Sequence, residues 1–163
     1  MTTALLVVLI LSLAIGFVVF FGPPYVPTLR RNMDAALDLL ELKPGETMLE
    51  LGCGDGRVLV AAAKRGVNAV GIELSPILAA ISWLRTWRYR KQVRIIWGDY
   101  FVVKWPPADA IFTFMILRQM SKLDARIETW RGQKPVRLAS FAFPIPGKKP
   151  AATQNGVFLY RYK

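Results

Sequence analysis

Met48-Leu49-Glu50-Leu51-Gly52-Cys53-Gly54-Asp55-Gly56-Arg57 is the stretch that decides the fold of this chain. It starts as a short apolar strand, enters a turn with glycine at every second position, and continues into a helix-like segment, residues 58–65. Because glycine has no Cβ, it tolerates positive φ and lets a ligand approach the backbone closely. The stretch therefore predicts a strand–turn–helix unit that binds a ligand at its turn.

The spacing of these glycines and the acids around them indicate the ligand. The order is G-x-G-x-G, which differs from the G-x-G-x-x-G of dinucleotide-binding folds, and no Lys-Ser/Thr pair of a P-loop follows it. Glu50 at the strand end and Asp55 in the turn suit a ligand that carries cationic groups. S-adenosyl-L-methionine (SAM), which has an ammonium group and a sulfonium, is therefore the predicted cofactor. Its predicted contacts in this unit are Glu50, Leu51, Gly52, Cys53, Gly54, Asp55 and Gly56.

Two further acids lie where predicted strands end. Glu73 ends the second strand, 21 positions after Gly52, and a carboxylate there accepts hydrogen bonds from both hydroxyls of a ribose. Asp99 follows the third strand and suits an adenine amino group. Taken alone, Glu73 reads equally well as a solvated acid, and a Gly-Asp pair is common in Asx turns. Beside the glycine turn, we interpret both acids as cofactor contacts, together with Leu74, Gly98 and Tyr100.

Strand-like and helix-like segments alternate along the chain. Met33, Ala36 and Leu40 fall at helical spacing, and Asn155-Gly156 is a dipeptide typical of β-hairpins. Such alternation ending in a hairpin predicts a doubly wound α/β sheet, in which ligands bind at the carboxyl ends of the strands. Strands are predicted at residues 47–51, 68–73, 93–97, 109–115, 136–143, 151–153 and 157–162. Helices are predicted at 58–65, 76–89 and 119–130, and a first helix begins at residue 32 and is stopped by the Lys-Pro-Gly sequence that starts at residue 43.

Composition excludes several kinds of chemistry. The chain has 163 residues, which favours one folded domain, and a net charge of +11 from 22 basic and 11 acidic residues. It has no histidine, which removes histidine acid–base catalysis and most zinc sites. The single cysteine, Cys53, excludes an intramolecular disulfide and a cysteine metal cluster, so no metal site is predicted. Cys53 is interpreted as a small loop residue, because no base is near it in sequence to activate the thiol.

The N-terminal region is uncharged and apolar. Residues 1–29 carry no charged side chain, and residues 4–21 are almost entirely Leu, Val, Ile, Ala and Phe, about the minimum length for a spanning helix. The start lacks the positive n-region of a cleaved signal peptide. The predicted organisation is a transmembrane anchor at 1–21, a Pro-rich junction at 22–31 and a SAM-binding domain at 32–163. Because Arg30 and Arg31 follow, the predicted localisation is a single-pass membrane protein with its domain on the cytoplasmic or mitochondrial matrix side.

One segment, residues 83–97, combines aromatic and basic side chains. It suits the phosphates and bases of a nucleic acid, anionic lipid headgroups, or simply a helix with core aromatics and a solvated basic face. Because the chain also has an apolar N-terminal run, the lipid and the plain structural interpretations are favoured equally, and nucleic acid least. The segment contains Trp83, Arg85, Trp87, Arg88, Tyr89, Arg90, Lys91, Arg94 and Trp97.

Together, the glycine turn, Glu73 and Asp99 resemble the first three motifs of the class I SAM-dependent methyltransferases. The chain is also similar to a small family of lysine methyltransferases that includes those acting on adenine nucleotide translocase and the ATP synthase c-subunit, with prokaryotic relatives. This resemblance covers residues 25–147 and implies a mostly parallel, seven-stranded, Rossmann-like sheet behind one N-terminal transmembrane helix. It is carried by the glycine turn, Tyr25-Val26-Pro27-Thr28, Gly71-Ile72-Glu73-Leu74 and Phe141-Ala142-Phe143-Pro144-Ile145-Pro146-Gly147.

The resemblance implies an enzyme that uses SAM to methylate a lysine of a membrane protein. The chain departs from the family at Arg118, where proline is expected, and no Asn/Asp-Pro-Pro-Tyr motif follows the fourth strand. Methyl transfer needs alignment and desolvation more than a dedicated base, so no catalytic residue is assigned, and Tyr25 and Thr113 are candidates for the acceptor channel. The same chemistry on a lipid or quinone-like molecule, and a non-catalytic SAM-binding membrane scaffold, stay open. The predicted partners are the lipid bilayer and the substrate lysine; nucleic acid is not expected.

Overall fold

A single seven-stranded sheet organises the part of the chain that the structure, a computed structural model, describes: residues 4–9, 12, 26–132 and 134–163. Strands β1 to β5 run parallel, while β7 pairs antiparallel with both β5 and β6. The order across the sheet is β3-β2-β1-β4-β5-β7-β6, so the predicted doubly wound sheet with a C-terminal hairpin is confirmed. The strands are β1 (Thr47–Leu51), β2 (Asn68–Glu73), β3 (Val93–Trp97), β4 (Ala110–Thr113), β5 (Val136–Phe141), β6 (Ala152–Gln154) and β7 (Val157–Tyr162).

Helices cover both faces of this sheet. Because side chains alternate along a strand, Met48 of β1 packs into one core with α1 and α2, while Leu49 and Leu51 pack into a second core with α4. A Pro at the first turn and a Ser75 side chain that accepts from the Leu78 amide at 3.3 Å start α3. The helices are α1 (Arg30–Leu40), α2 (Arg57–Lys64), α3 (Pro76–Thr86), which continues into a 3-10 turn at Trp87–Tyr89, and α4 (Leu117–Arg131).

The glycine turn after β1 packs directly on β2. The amides of Gly52 and Cys53 both donate to the Ile72 carbonyl, at 2.9 and 3.0 Å. A Cβ on Gly71 would lie 2.6 Å from Cys53 Sγ and 2.6 Å from Leu59, closer than real Cβ atoms approach such neighbours. Gly71 therefore lets the turn and α2 lie against β2, and it fixes the turn at the edge where β1, β2 and β3 end. In this order β1 has β2 on one side and β4 on the other, which is where a doubly wound sheet opens a crevice.

Two strands are shorter than their apolar runs predicted. We expected strands at 109–115 and 136–143, but β4 ends at Thr113 and β5 at Phe141. The residue after β5, Ala142, has φ of 68°, which turns the chain out of the sheet. In both cases the two apolar residues beyond the strand leave the ladder, and Phe114, Met115 and Phe143 line a cavity instead.

The predicted single-pass membrane localisation is contradicted. Across residues 4–9, 12, 26–132 and 134–163, no helix has the length and apolar character needed to cross a bilayer. Residues 4–9 are helical and exposed. The rest of the predicted anchor, apart from residue 12, and residues 22–25 of the predicted junction lie outside the described residues, and α1 begins at Arg30. The division of the chain at residues 21 and 31 stays a prediction.

Candidate functional site

A cavity of about 370 Å³ opens at the carboxyl ends of β1, β2 and β3. Its volume falls within the range of small-molecule sites, about 300–1,000 Å³. Ten of the residues that the sequence predicted as cofactor contacts line it: Glu50, Leu51, Gly52, Cys53, Gly54, Asp55, Glu73, Leu74, Asp99 and Tyr100. The prediction therefore locates the cavity, although the contacts themselves stay a proposal.

Glu73 ties the glycine turn to the start of α3. Its Oε2 accepts from the Gly54 amide at 2.8 Å, and its Oε1 accepts from the Ser75 amide at 2.8 Å. Because each carboxylate oxygen has two acceptor positions, these bonds leave room for hydroxyl donors from the cavity. Glu73 is therefore both a structural clamp on the turn and a cavity-lining acceptor, so neither of the two sequence interpretations describes it fully.

Glu50 is an unusual acid because it is buried beside two others. Its side chain lines the cavity at 4% exposure, and its Oε2 has no hydrogen-bond partner. Burial, reinforced by the negative charges of Asp55 and Glu73, raises the pKa of Glu50 well above its usual range. An unpartnered buried carboxyl costs stability, which points to a cationic or donor group that completes it.

Asp55 joins three parts of the chain through two guanidinium groups. Arg57 Nη2 donates to Asp55 Oδ2 at 2.8 Å, and Arg85 from α3 pairs with the same carboxylate. Arg57 Nη1 also donates to the Thr28 carbonyl at 3.5 Å, which holds the segment before α1 over the glycine turn. As a result, Val26, Pro27 and Thr28 line the cavity.

Asp99 and Tyr100 line the cavity after the end of β3. Asp99 Oδ1 accepts from the Phe101 amide at 2.7 Å, so the Asx turn that the Gly-Asp pair suggested is present, and Asp99 still lines the cavity. The Tyr100 hydroxyl bonds Gln119 Oε1 at 3.0 Å. Burial, followed by the charges of Asp99 and Glu73, raises the pKa of Tyr100 to about 12, so this phenol stays protonated at neutral pH.

Three of the described residues that the sequence predicted for the site do not line the cavity. Gly56 caps α2 against Ser82, and the Gly98 amide donates to the Glu73 carbonyl at 2.9 Å, so both support the cavity from behind. Thr113 is fully buried, and its hydroxyl donates to the Leu51 carbonyl at 3.3 Å, which joins β4 to β1. Tyr25 lies outside the described residues.

An apolar wall completes the cavity on the side of β4. It consists of Phe114, Met115 and Ile116 after β4 and Phe143 after β5, together with the polar Gln119 at the start of α4. β4 lies on the other side of β1 from β2, and Gln119 joins this wall to the β3 side of the cavity through its bond with the Tyr100 hydroxyl. The wall was not predicted from the sequence, although its member Phe143 belongs to the Phe141–Gly147 stretch noted for its resemblance.

The residues present fit SAM. An unpartnered acidic oxygen lies beside the glycine turn, a carboxylate with spare acceptor positions ends β2, and an acid with an aromatic neighbour follows β3. Ligands of such sheets bind at the topological switch point, and an acidic, partly apolar crevice there is the site expected of a class I SAM-dependent methyltransferase.

Comparisons with known proteins identify the family within that class. The family model described as "ANTKMT methyltransferase domain" matches residues 50–152, and the chain belongs to this family. The predicted resemblance, the methyltransferase class and SAM as cofactor are thereby confirmed.

Curated relatives are similar over most of this chain. A lysine N-methyltransferase of the ATP synthase c-subunit, from Xenopus laevis, is 32% identical over 78% of this chain and 56% of its own. An adenine nucleotide translocase lysine N-methyltransferase from Mus musculus is 31% identical over 79% of this chain and 57% of its own. This chain therefore spans a little over half the length of these relatives. A protein-lysine N-methyltransferase from Saccharolobus islandicus is 29% identical, and there the match covers 78% of this chain and 81% of the relative.

Solved structures share the fold. An RNA methyltransferase from Salinibacter ruber, in complex with S-adenosyl-L-homocysteine, superimposes with a TM-score of 0.73 at 23% identity, over 84% of this chain and 92% of that one. A SAM-dependent methyltransferase from Geobacter sulfurreducens gives a TM-score of 0.58 at 19% identity, over 83% and 58% of the two chains. At these identities the likeness establishes the fold alone.

Proposed function

We propose that this chain is a SAM-dependent protein-lysine N-methyltransferase whose acceptor is a lysine of a membrane protein. The observation that carries the proposal is one cavity with two chemically different halves. Acids line the half at the ends of β1 to β3, and the half beyond β4 is aromatic and aliphatic. The names of the curated relatives, which specify lysine N-methyltransfer, support the acceptor class.

The acidic half suits the cofactor. Glu73 is the proposed acceptor for the ribose hydroxyls, and Asp99 with Tyr100 the proposed adenine site. Glu50 is the proposed partner of the cofactor ammonium group, because it is the buried carboxyl with an unpartnered oxygen. When bound, SAM supplies a methyl group activated by a sulfonium.

The apolar half suits the acceptor. Lysine has a long aliphatic stem, and Phe114, Ile116 and Phe143 provide an apolar surface for it. Desolvation in such a channel lowers the pKa of an ammonium group and favours the neutral amine that methyl transfer needs. Tyr100, with its pKa raised to about 12, is a hydrogen-bonding group and not a base. The Tyr25 and Thr113 candidates stay predictions.

Replacement of Glu50 by glutamine is expected to weaken SAM binding about tenfold at neutral pH, the scale of one hydrogen bond to a charged group. Because a cationic ligand needs the ionised carboxyl, SAM affinity of the parent should rise with pH up to the raised pKa of Glu50. Affinity of Glu50→Gln should not show this rise. Calorimetry across pH measures both, and the same pH profile in parent and variant would remove Glu50 from the ammonium site.

Although Glu50→Gln should bind SAM more weakly, we expect it to be more stable than the parent at neutral pH. The folded-state pKa of Glu50 is raised, so the folded protein holds a proton that the unfolded chain has lost. Stability therefore falls as pH rises from the unfolded pKa, about 4.3, through the folded pKa. Glu50→Gln removes this loss, and its midpoint of thermal unfolding at neutral pH should exceed that of the parent when SAM is absent.

Truncation of the apolar wall should affect the acceptor and not the cofactor. For Phe143→Ala we expect about a tenfold fall in kcat/KM for a lysine substrate, roughly 1.4 kcal/mol of lost transition-state binding, with SAM affinity changed less than about twofold. Phe158→Ala is the matched control, because Phe158 is a half-buried aromatic that does not line the cavity. Equal losses in both variants would mean that Phe143 acts through stability only.

Transfer of a tritiated methyl group from SAM to isolated membranes tests the function itself. Label in a protein band, recovered as methyl-lysine after hydrolysis, is the expected result. Label in the lipid extract would replace lysine by a lipid or quinone-like acceptor, and no transfer by a folded, SAM-binding protein would indicate a non-catalytic scaffold.

A lipid bilayer is the second partner that we propose, and a surface of the domain supports it.

A further inference from the structure

The outer face of α3 is apolar although it faces solvent. Its exposed positions include Ile77, Ile81, Trp83 and Leu84, the last with 66% of its surface exposed, and Trp87 follows at 47%. The buried positions of the same helix are the small or polar Ala79, Ser82 and Thr86. A surface helix normally has the reverse arrangement, with large apolar residues facing the core. A contiguous exposed apolar face of this kind marks an interaction surface.

Cations surround this face. Arg88, Arg90, Lys91 and Arg94 are all exposed, and no acid occurs between Leu74 and Gly98. The Arg90 guanidinium lies over the Trp87 ring at 5.1 Å from its centre. Beside them, a second cavity of about 330 Å³ between α3 and the edge strand β3 is lined by Trp83, Trp87, Arg90 and Arg94, among others. We call the apolar face and these four cations the α3 surface.

We propose that the α3 surface is a peripheral docking site for an anionic lipid bilayer. Trp and Arg are favoured at the level of lipid headgroups, where the cations attract anionic lipid and the apolar side chains reach the acyl boundary. A nucleic acid would be gripped by the tryptophans and arginines but would leave Ile77, Ile81 and Leu84 against phosphates and water. The aliphatic residues therefore favour lipid. Such docking is peripheral and requires no spanning helix.

The position of the α3 surface explains what docking would do. Helix α3 starts at the cofactor cavity, where Ser75 and Leu78 line the wall, and Ile77 of the α3 surface lies between them in sequence. Docking would therefore bring the mouth of the cavity beside the bilayer and confine its search for lysines to a thin layer. This advantage rests on the proposed lysine methyltransferase function, whereas the docking itself does not.

Quenching of tryptophan fluorescence by brominated lipids tests the docking in the full chain. All five tryptophans lie at or after residue 83, so the apolar N-terminal run contributes no signal. We expect quenching by vesicles of brominated phosphatidylcholine mixed with phosphatidylglycerol, and little by brominated phosphatidylcholine alone. Arg88→Gln with Lys91→Gln should weaken the apparent affinity about 25-fold, about fivefold for each cation, and Leu84→Asp about tenfold.

A matched control variant distinguishes binding through the α3 surface from binding through the overall positive charge of the protein. Lys104→Gln with Lys149→Gln removes two exposed lysines elsewhere and should bind vesicles as the parent does. Calorimetry with SAM verifies that each variant is folded, because none of these residues lines the cofactor cavity. Methylation of a soluble lysine peptide should be unchanged, so failure of docking is distinguishable from failure of the enzyme.

Three outcomes would overturn the proposal. The first is absence of quenching by anionic vesicles, and the second is an equal loss in the Lys104/Lys149 control. The third is a pair of results: the parent binds a random-sequence oligonucleotide that the Arg88/Lys91 variant does not bind, and vesicles leave the fluorescence of the parent unchanged. This pair would assign the α3 surface to nucleic acid.

Discussion

Gly54→Val is expected to lose measurable SAM binding, a fall of more than about 100-fold, while the domain stays folded. Gly54 has φ of 54°, lines the cofactor cavity, and donates its amide to Glu73. A β-branched residue is strained at positive φ by about 1–3 kcal/mol and would extend two methyl groups from the turn at the cavity wall. Both effects act at the proposed cofactor site, and calorimetry with SAM and S-adenosylhomocysteine measures the loss.

Gly132→Val is the matched control for backbone strain. Gly132 has φ of 59°, close to that of Gly54, but it follows α4 and an added Cβ would meet nothing within 4 Å. The control should lose stability through backbone strain and keep its SAM affinity. If folded Gly54→Val binds SAM as the parent does, the glycine turn is structural only, and the assignment of the cofactor site to it is wrong.

The first three strands were predicted with their correct ends because local chemistry determines them. Apolar runs at 47–51, 68–73 and 93–97 are each followed by a glycine or a short polar turn, and the structure ends β1, β2 and β3 at those positions. Because β1, β2 and β3 run parallel, their carboxyl ends lie at the same edge of the sheet. This brings Glu50, Glu73 and Asp99 to one cavity. The fold and the acidic part of the cavity, where we propose that the cofactor binds, could therefore be predicted from the sequence alone.

The apolar part of the cavity, where we propose that the lysine binds, could not be predicted from the sequence, because it depends on contacts between residues distant in sequence. Thr113 and Phe114 are neighbours, yet Thr113 is buried against β1 while Phe114 lines the cavity, and only the observed end of β4 decides between them. Phe143 reaches this wall after β5 leaves the sheet, and Thr28 lines another part of the cavity because Arg57 holds its carbonyl. The double role of Glu73 was likewise hidden, since no local pattern reveals that two backbone amides bind its carboxylate.

Glu73→Ala is expected to weaken SAM binding by at least about 10- to 150-fold. Hydrogen bonds to a charged group contribute about 1.5–3 kcal/mol, and the variant loses the proposed bonds to the ribose hydroxyls. It also releases the Gly54 and Ser75 amides, which Glu73 accepts at 2.8 Å each. The loss should therefore exceed that of a residue that contacts the ligand alone, and calorimetry of the folded variant measures it.

Glu73→Gln separates the two roles of this side chain. Glutamine keeps one acceptor oxygen but replaces the other by a donor, so it can satisfy either the Gly54 amide or the Ser75 amide, not both. If the clamp on the turn matters, the glutamine variant should bind SAM more tightly than Glu73→Ala and still melt at a lower temperature than the parent. Equal SAM affinity in the parent and both variants would exclude the ribose assignment, because a carboxylate that binds two hydroxyls cannot be removed without loss.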